Sequence, residues 1–269
     1  MAKVRLIRNP TPQPGWFQMA ADNLLVEQLP AQPYDAALRF YQWRPPAVSL
    51  GFHQTPKVIA VEDCQRLGWH IVRRPTGGRA LLHNRDLSYA VVIKSKDEGL
   101  RTLRYFYNKI ATVVVHTLSE FGVVVDKETS KSNEIGSGLK EKLCLKTRTR
   151  GEVMVGGRKI AAGAQRLYPG AILQHGSLTL RGDIADITKV TNIEANRRAN
   201  LRAQLIRCAV ALDEAAGRYI SFDELSDEME KSFLRLFGWE PFESEFSASE
   251  MAEIHLQRPR FDVFLNATI

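Results

Sequence analysis

Cysteine is scarce in this chain. Cys64, Cys144 and Cys208 are the only three in 269 residues, an odd number set far apart, which argues against a disulfide framework and a clustered thiolate metal site. Reduced thiols are therefore expected. Long apolar runs are also missing: no window reaches the unbroken apolar length of a membrane span, and none follows the opening MAKVRLIRNP. These two absences point to a soluble, unprocessed cytoplasmic protein with no membrane partner. The spacing of His53, His83 and His175 matches no metal-binding pattern, so no metal is expected. No glycine turn is followed by Gly-Lys-Ser/Thr, which excludes a P-loop, and the dinucleotide fingerprint is absent too. Basic residues are not interleaved with aromatics in any RNA- or DNA-binding signature, so nucleic acid is not an expected partner. There is no internal repeat.

What the chain has is a 44% apolar composition, enough for one large domain or a main domain with a smaller appendage. Its net charge of +7 favours an acidic partner. The basic residues concentrate in KSKDEGLR, KEKLCLKTRTR and RRANLRAQLIR.

Periodicity predicts helices over residues 17–29, in VIAVEDCQRLG up to Gly68, and from Leu103 to Phe121. YDAALRFYQW, AVSLGFH, WHIVRR, LSYAVVI and AILQHGSLTL read as strands. EVMV and KIAAGAQRL read as a hairpin through Gly156 and Gly157. Between them and the Leu103 helix lies a polar, basic stretch, read as a long surface loop that includes residues 129–150. Past Asp183 three helices are expected: ANLRAQLIRCAVALDEAAG, SFDELSDEMEKSFLRLFG and SASEMAEIHLQ, the last opening on a serine cap. The mixture of strands and helices fits an α/β (α+β) fold, a mixed sheet flanked by helices.

Four groups of residues could carry chemistry. In RRPTGGRALLH, Gly77 and Gly78 allow close backbone approach, and Arg73, Arg74 and Arg79 offer charged donors to a phosphate or carboxylate. A plain hairpin turn is the alternative. In GGRKIAAGAQ, Lys159 stands beside Ala161, Ala162, Gly163 and Ala164, which leave room for a slender ligand whose carbonyl or carboxylate the lysine could hold. A solvated hairpin lysine is the alternative there. Cys144 is surrounded by Lys140, Lys142, Lys146, Arg148 and Arg150, and such neighbours stabilise a thiolate. Cys64 and Cys208 fall on apolar helical stripes and read as core. His53, His83 and His175 read as structural or pocket-lining.

Taken in order, RRPTGGRALLH, GGRKIAAGAQ and ILQHGS resemble the biotin and lipoate protein ligase superfamily, within it the branch that attaches lipoyl or octanoyl groups to protein lysines. FQMAADNLLVEQL and AVSLGFHQ are similar to that branch's first helix and early strand, so the resemblance covers roughly residues 3–255. It implies an acyl-binding catalytic domain over 1–190 and a helical C-terminal extension over 191–269 packed on it. It further implies that Arg73, Arg74, Thr76, Gly77, Gly78, Arg79, His83, Gly163, Gln165, His175 and Gly176 bind the acyl or acyl-adenylate group, and that Lys159 holds the acyl carbonyl.

The branch contains two chemistries. Cysteine acyltransferases pass the chain through an acyl-thioester and need no cofactor; ATP-dependent ligases form an acyl-adenylate and need ATP and Mg2+. In the cysteine type the nucleophile lies thirteen positions before the second glycine of the GGRK turn, and Cys144 stands thirteen positions before Gly157. AGRYISFDEL and FGWE are similar to the C-terminal helices of Gram-positive type octanoyltransferases. Leu145, Lys146 and Thr147, however, replace the expected aromatic-Asp and Pro-Ser pattern. Arg150, Gly151 and Glu152 only partly match the ligases' Arg-Asn-Asp. The resemblance therefore implies octanoyl or lipoyl transfer from acyl carrier protein to apo lipoyl-domain proteins, such as H protein or E2 subunits. ATP-dependent lipoate ligation, relay transfer from an acylated H protein and a non-catalytic binding module stay open beside it. Biotin ligation ranks last, because a GRGRxGR-like segment is missing.

Overall fold

A computed structural model describes residues 1–8, 11–96, 99–126, 143 and 153–266. The chain opens with strand β1 (Ala2–Arg8), helix α1 (Gly15–Gln28), β2 (Ala36–Tyr41) and β3 (Ala47–Leu50). Helix α2 (Val61–Arg66), β4 (His70–Arg73), β5 (Leu81–His83), β6 (Asp86–Lys94) and α3 (Leu100–Glu120) follow. Next come β7 (Met154–Val155), β8 (Arg158–Lys159), β9 (Ala161–Tyr168) and β10 (Ala171–Thr179). The tail holds α4 (Ala195–Cys208), α5 (Leu212–Ala216), α6 (Phe222–Phe237), β11 (Trp239–Glu243) and α7 (Ala248–Leu256), then the short α8 (Arg258–Phe261) and α9 (Val263–Asn266). This is the mixed sheet flanked by helices that the sequence pattern implies.

The main sheet has six strands in the order β11-β1-β2-β6-β10-β9. Both its faces are covered, which is why β2 is buried along its whole length and β6 along all but its last residue. Side chains alternate across a strand, so β6 sends Leu87, Tyr89, Val91 and Ile93 into one core with Val113, Leu118, Met229 and Phe233 of α3 and α6. Its other face sends Ala90 and Val92 against Met19, Ala20 and Leu24 of α1. Asp86 and Ser88 share that second face by the same alternation. Two polar groups are thereby buried at one end of it, Asp86 at 3% exposure and Ser88 at 1%.

A second sheet of three strands, in the order β4-β3-β5, carries a separate core with Cys64 of α2 and Leu205 of α4. β4 runs parallel to β3 and β5 antiparallel to it. The glycine turn between β4 and β5 therefore closes no hairpin; it passes over the end of β3. Arg74 N donates to Leu50 O at 2.9 Å and Phe52 N to Thr76 O at 2.9 Å along this crossing. A Cβ on Gly51 would lie 2.0 Å from Gly78 O, so only glycine lets the two backbones pass.

Several expectations need correction. The ANLRAQ…AAG helix is two helices, α4 and α5, broken where Val210 N donates to Lys159 O at 3.0 Å and Ala209 bridges Lys159. KIAAGAQRL is not one hairpin arm: β7 and β8 form their own two-residue ribbon, while β9 pairs with β10. β1 and β11, which the pattern did not suggest, pair in parallel at the sheet's edge. Arg5 interrupts the apolar run of β1 and is buried there by bonds to Glu250 at 2.6 and 2.9 Å and to Ser244 and Glu245. Cys208 is only half-buried, whereas Cys64 is fully buried.

Candidate active site

A cavity of about 450 Å³ including its open mouth lies between the main sheet and the small sheet. Strand register builds its floor. Tyr41, Ser88, Ser177 and Ala162 sit opposite one another across β2, β6, β10 and β9, and Arg39, Ala90, His175 and Ala164 form the next such row. The small sheet and the glycine turn cover this floor with Ser49, Arg74, Gly78, Leu81 and His83, while Met19 and Trp43 close one end. Gly78 and Gly163 are exposed and mark the open side; Met19, Tyr41 and Trp43 are buried.

The arginines of the glycine turn are directed into the protein. Arg73 Nη1 donates to the carbonyls of Gly51, Phe52 and Gln54 at 3.1, 3.0 and 2.8 Å. Arg74 donates to Ser49 O at 2.9 Å, Ser49 Oγ at 3.2 Å, Gly77 O at 2.9 and 3.1 Å and Arg79 O at 2.8 Å. Gly78, at φ 96°, brings its own position within 2.7 Å of Arg74 Nη2, measured from a Cβ it lacks. Arg74 thus shapes the turn from beneath. Arg79 is half-buried, and its guanidinium makes no hydrogen bond among the described residues.

Two imidazoles tie the layers together. His175 on β10 meets Asp22 Oδ2 of α1 at 3.1 Å through Nδ1 and Thr76 Oγ1 of the glycine turn at 2.5 Å through Nε2. Burial lowers the His175 pKa, partly offset by Asp22, so the ring is neutral, donating to the carboxylate and accepting from Thr76. Asp22 itself is held by Arg39 at 2.5 Å and by the Tyr41 hydroxyl at 3.0 Å, all of them fully buried. His83 on β5 meets Asp86 of β6 at 2.7 Å and Ser49 of β3 at 2.9 Å, and stacks on Trp43 with ring centres 3.9 Å apart.

Of the other expected positions, Gly163 and Gly176 face each other across β9 and β10 and line the cavity with backbone. A Cβ on Gly176 would lie 2.5 Å from the Tyr89 ring, so glycine admits that ring beneath the strand. Gln165 contacts Gln174 at 2.5 Å and, by alternation, points to the face opposite His175. Lys159 does not border the cavity; it is 3% exposed on β8 beside Met154. Its hairpin turns through Gly156 and Gly157, at φ 55° and 73°, whose amides donate to Asp126 at 2.9 and 2.8 Å.

Cys144 lies outside the described residues, with the rest of 129–150 except Leu143. Leu143, next before Cys144 in the sequence, is 2% exposed and bridges Ala80 at the exit of the glycine turn. His53 lies exposed on the loop after β3 and does not line the cavity, as His83 and His175 do. Burial pushes the Cys64 thiol up to about 12, so it is inert as a nucleophile. No group of three histidine, cysteine or acidic side chains among the described residues could hold a metal. No described helix is long and apolar enough to cross a membrane.

Sequence reasoning missed Asp22, Arg39, Ser49 and Asp86. A signal was there for two of them: Asp22 stands inside an apolar helix and Arg39 inside an apolar strand, each needing a buried partner.

The chain is similar to known proteins along most of its length. Octanoyltransferase LipM of Staphylococcus epidermidis is 29% identical over 224 residues, 81% of either chain, and that of Moorella thermoacetica is 33% identical over 238 residues, 84% of this chain and 83% of its own. The fold matches a bi-partite lipoate protein ligase of Thermoplasma acidophilum with a TM-score of 0.78 over 97% of this chain and 93% of that one, at 18% identity. The model of the lipoyl protein ligase A/B catalytic domain matches residues 14–234, and the chain belongs to that family.

Proposed function

We propose that this protein is an octanoyltransferase that moves an octanoyl group from a thioester donor to the acceptor lysine of lipoyl-domain proteins. The observation that carries this is the cavity between the sheets: its surface is mainly apolar, and its volume suits a slender acyl chain. Similarity to the octanoyltransferases LipM over four fifths of the chain supports it.

In this reading the Cys144 thiolate attacks the thioester carbonyl of octanoyl carrier protein. The carbon–sulfur bond to the carrier breaks, the carrier sulfur leaves as a thiolate that takes a proton from solvent, and an octanoyl-thioester forms on Cys144. The neutral acceptor lysine then attacks, an amide forms as the lysine nitrogen gives a proton to solvent, and the cysteine thiolate is released. The thioester drives both steps, so neither ATP nor Mg2+ enters. Residues 1–190 hold the acyl site and residues 191–269 brace it, with β11 at the sheet's edge and α6 packed on α3. Acyl carrier proteins and the lipoyl domains of H protein and E2 subunits are the partners, and a net charge of +7 steers acidic proteins of this kind.

The test is intact-protein mass after incubation with octanoyl carrier protein without ATP, on the wild type and on Cys144→Ser. A gain of one octanoyl group in the wild type, labile to hydroxylamine and missing in the variant, is expected. ATP-dependent labelling of a lipoyl domain by free lipoate in both proteins, with no adduct, would overturn it in favour of a ligase.

A further inference from the structure

Many side chains around the cavity carry hydrogen-bond donors, yet the surface they present is mainly apolar. The hydrogens are collected elsewhere. Asp86 Oδ2 accepts from Ser177 Oγ at 2.5 Å, from His83 Nδ1 at 2.7 Å and from Ser88 Oγ at 3.0 Å. Ser88 Oγ in turn accepts from Trp43 Nε1 at 2.8 Å. Ser49 Oγ accepts from Arg74, so its own hydrogen goes to His83 Nε2 at 2.9 Å. Five donors of the cavity wall thus lead directly or in sequence to one carboxylate, which is itself 3% exposed and does not border the cavity. Tyr41 and His175 are drawn to Asp22 in the same way.

Direction matters here because a buried donor without an acceptor is costly, and an alkyl chain offers none. A hydroxyl whose hydrogen is turned away presents carbon and a satisfied oxygen instead. We propose that Asp86 is a positioning residue for acyl selectivity: by holding the hydrogens of Ser177, Ser88, His83, Trp43 and Ser49 away from the cavity, it makes a polar-residue wall accept an unsubstituted alkyl chain in preference to one ending in a hydroxyl. This rests on reading the cavity as the octanoyl site.

Calorimetric binding of octanoic acid and of 8-hydroxyoctanoic acid tests it without requiring turnover. The wild type prefers octanoic acid by roughly 10- to 100-fold, the range by which an apolar pocket rejects an added hydroxyl. Asp86→Ala removes the oxygen that Ser177, His83 and Ser88 share, so their hydrogens turn to the cavity, and the preference falls to within about threefold, mainly through weaker octanoic acid binding. Two serine variants separate hydrogen direction from general damage and serve also where Asp86→Ala does not fold. Ser88→Ala releases the Trp43 N–H and lowers the preference. Ser177→Ala removes a donor together with its bond, releases no hydrogen, and prefers octanoic acid at least as strongly as the wild type does. Equal shifts in the two serine variants, or loss of both acids by the same factor in Asp86→Ala, would overturn the inference. A wild type that binds neither acid would instead bring down the octanoyl reading of the cavity, and the inference with it.

Discussion

At Gly77–Gly78 the backbone turns carbonyls toward a cation, whereas at Gly156–Gly157 it turns amides toward an anion. Arg74 fills the first turn from beneath through the carbonyls of Gly77 and Arg79, and Asp126 caps the second through both glycine amides. The first turn is packed: it crosses Gly51 with no room for a Cβ and is tied through Thr76 to His175. A Cβ on Gly78 would meet Arg74 Nη2 at 2.7 Å, whereas one on Gly77, Gly156 or Gly157 would meet nothing within 4 Å. The same dipeptide thus serves as a close crossing in one place and as a local hairpin turn in the other. The anion-holding capacity of glycine amides is occupied by the protein's own carboxylate at the second turn.

Breaking the crossing should have the largest effect. Gly51→Ala places a Cβ 2.0 Å from Gly78 O, a backbone atom, so either the strand end or the turn must move. A loss on the order of 3 kcal/mol or more is expected from urea denaturation, with octanoyl transfer lost alongside. The second turn should respond less. Asp126→Ala removes two hydrogen bonds from partly exposed amides that water can replace, and about 1 kcal/mol is expected by the same measurement. A loss in Asp126→Ala as large as in Gly51→Ala would erase the distinction between the turns.

The smallest effect expected is with pH, and at the first turn it should act through His175. His175 has its pKa lowered in the fold, chiefly by burial, so the unfolded chain binds the proton more readily. The stability linked to this histidine is therefore present in full above the ordinary value of 6.5 and is lost as pH falls below it through the folded-state pKa. The urea midpoint should drop between about pH 7.5 and about pH 5.5, and the drop should be smaller in His175→Asn. An unchanged pH dependence in that variant would mean that the Thr76 contact does not depend on the neutral ring.

Much of the fold was legible because local chemistry announced it. Helix α6 carries a capping box between Ser221 and Glu224 and stops at the left-handed Gly238, both readable from the residue types. β10 and β6 announce themselves by apolar and β-branched content. β1 did not, since Arg5 breaks its apolar run and is accommodated only by Glu250, distant in sequence and near in space. The break between α4 and α5 was hidden for a similar reason, because it is made by a bridge to Lys159 and not by a glycine or proline.

The sequence by itself determined the order of the glycine turn, the GGRK hairpin and the ILQHGS strand, the capped helices of the tail and the family they resemble. These follow from residue type and short-range spacing. Tertiary structure alone decided that Arg73 and Arg74 face inward, that Lys159 is buried apart from the cavity, and that Asp22 and Asp86 collect the hydrogens of its wall. The reason is that a hydrogen bond's direction depends on which partners meet. Asp22 and His175, or Asp86 and Ser177, meet only when α1, β6 and β10 have packed, and no local pattern encodes a pairing across that distance in the chain.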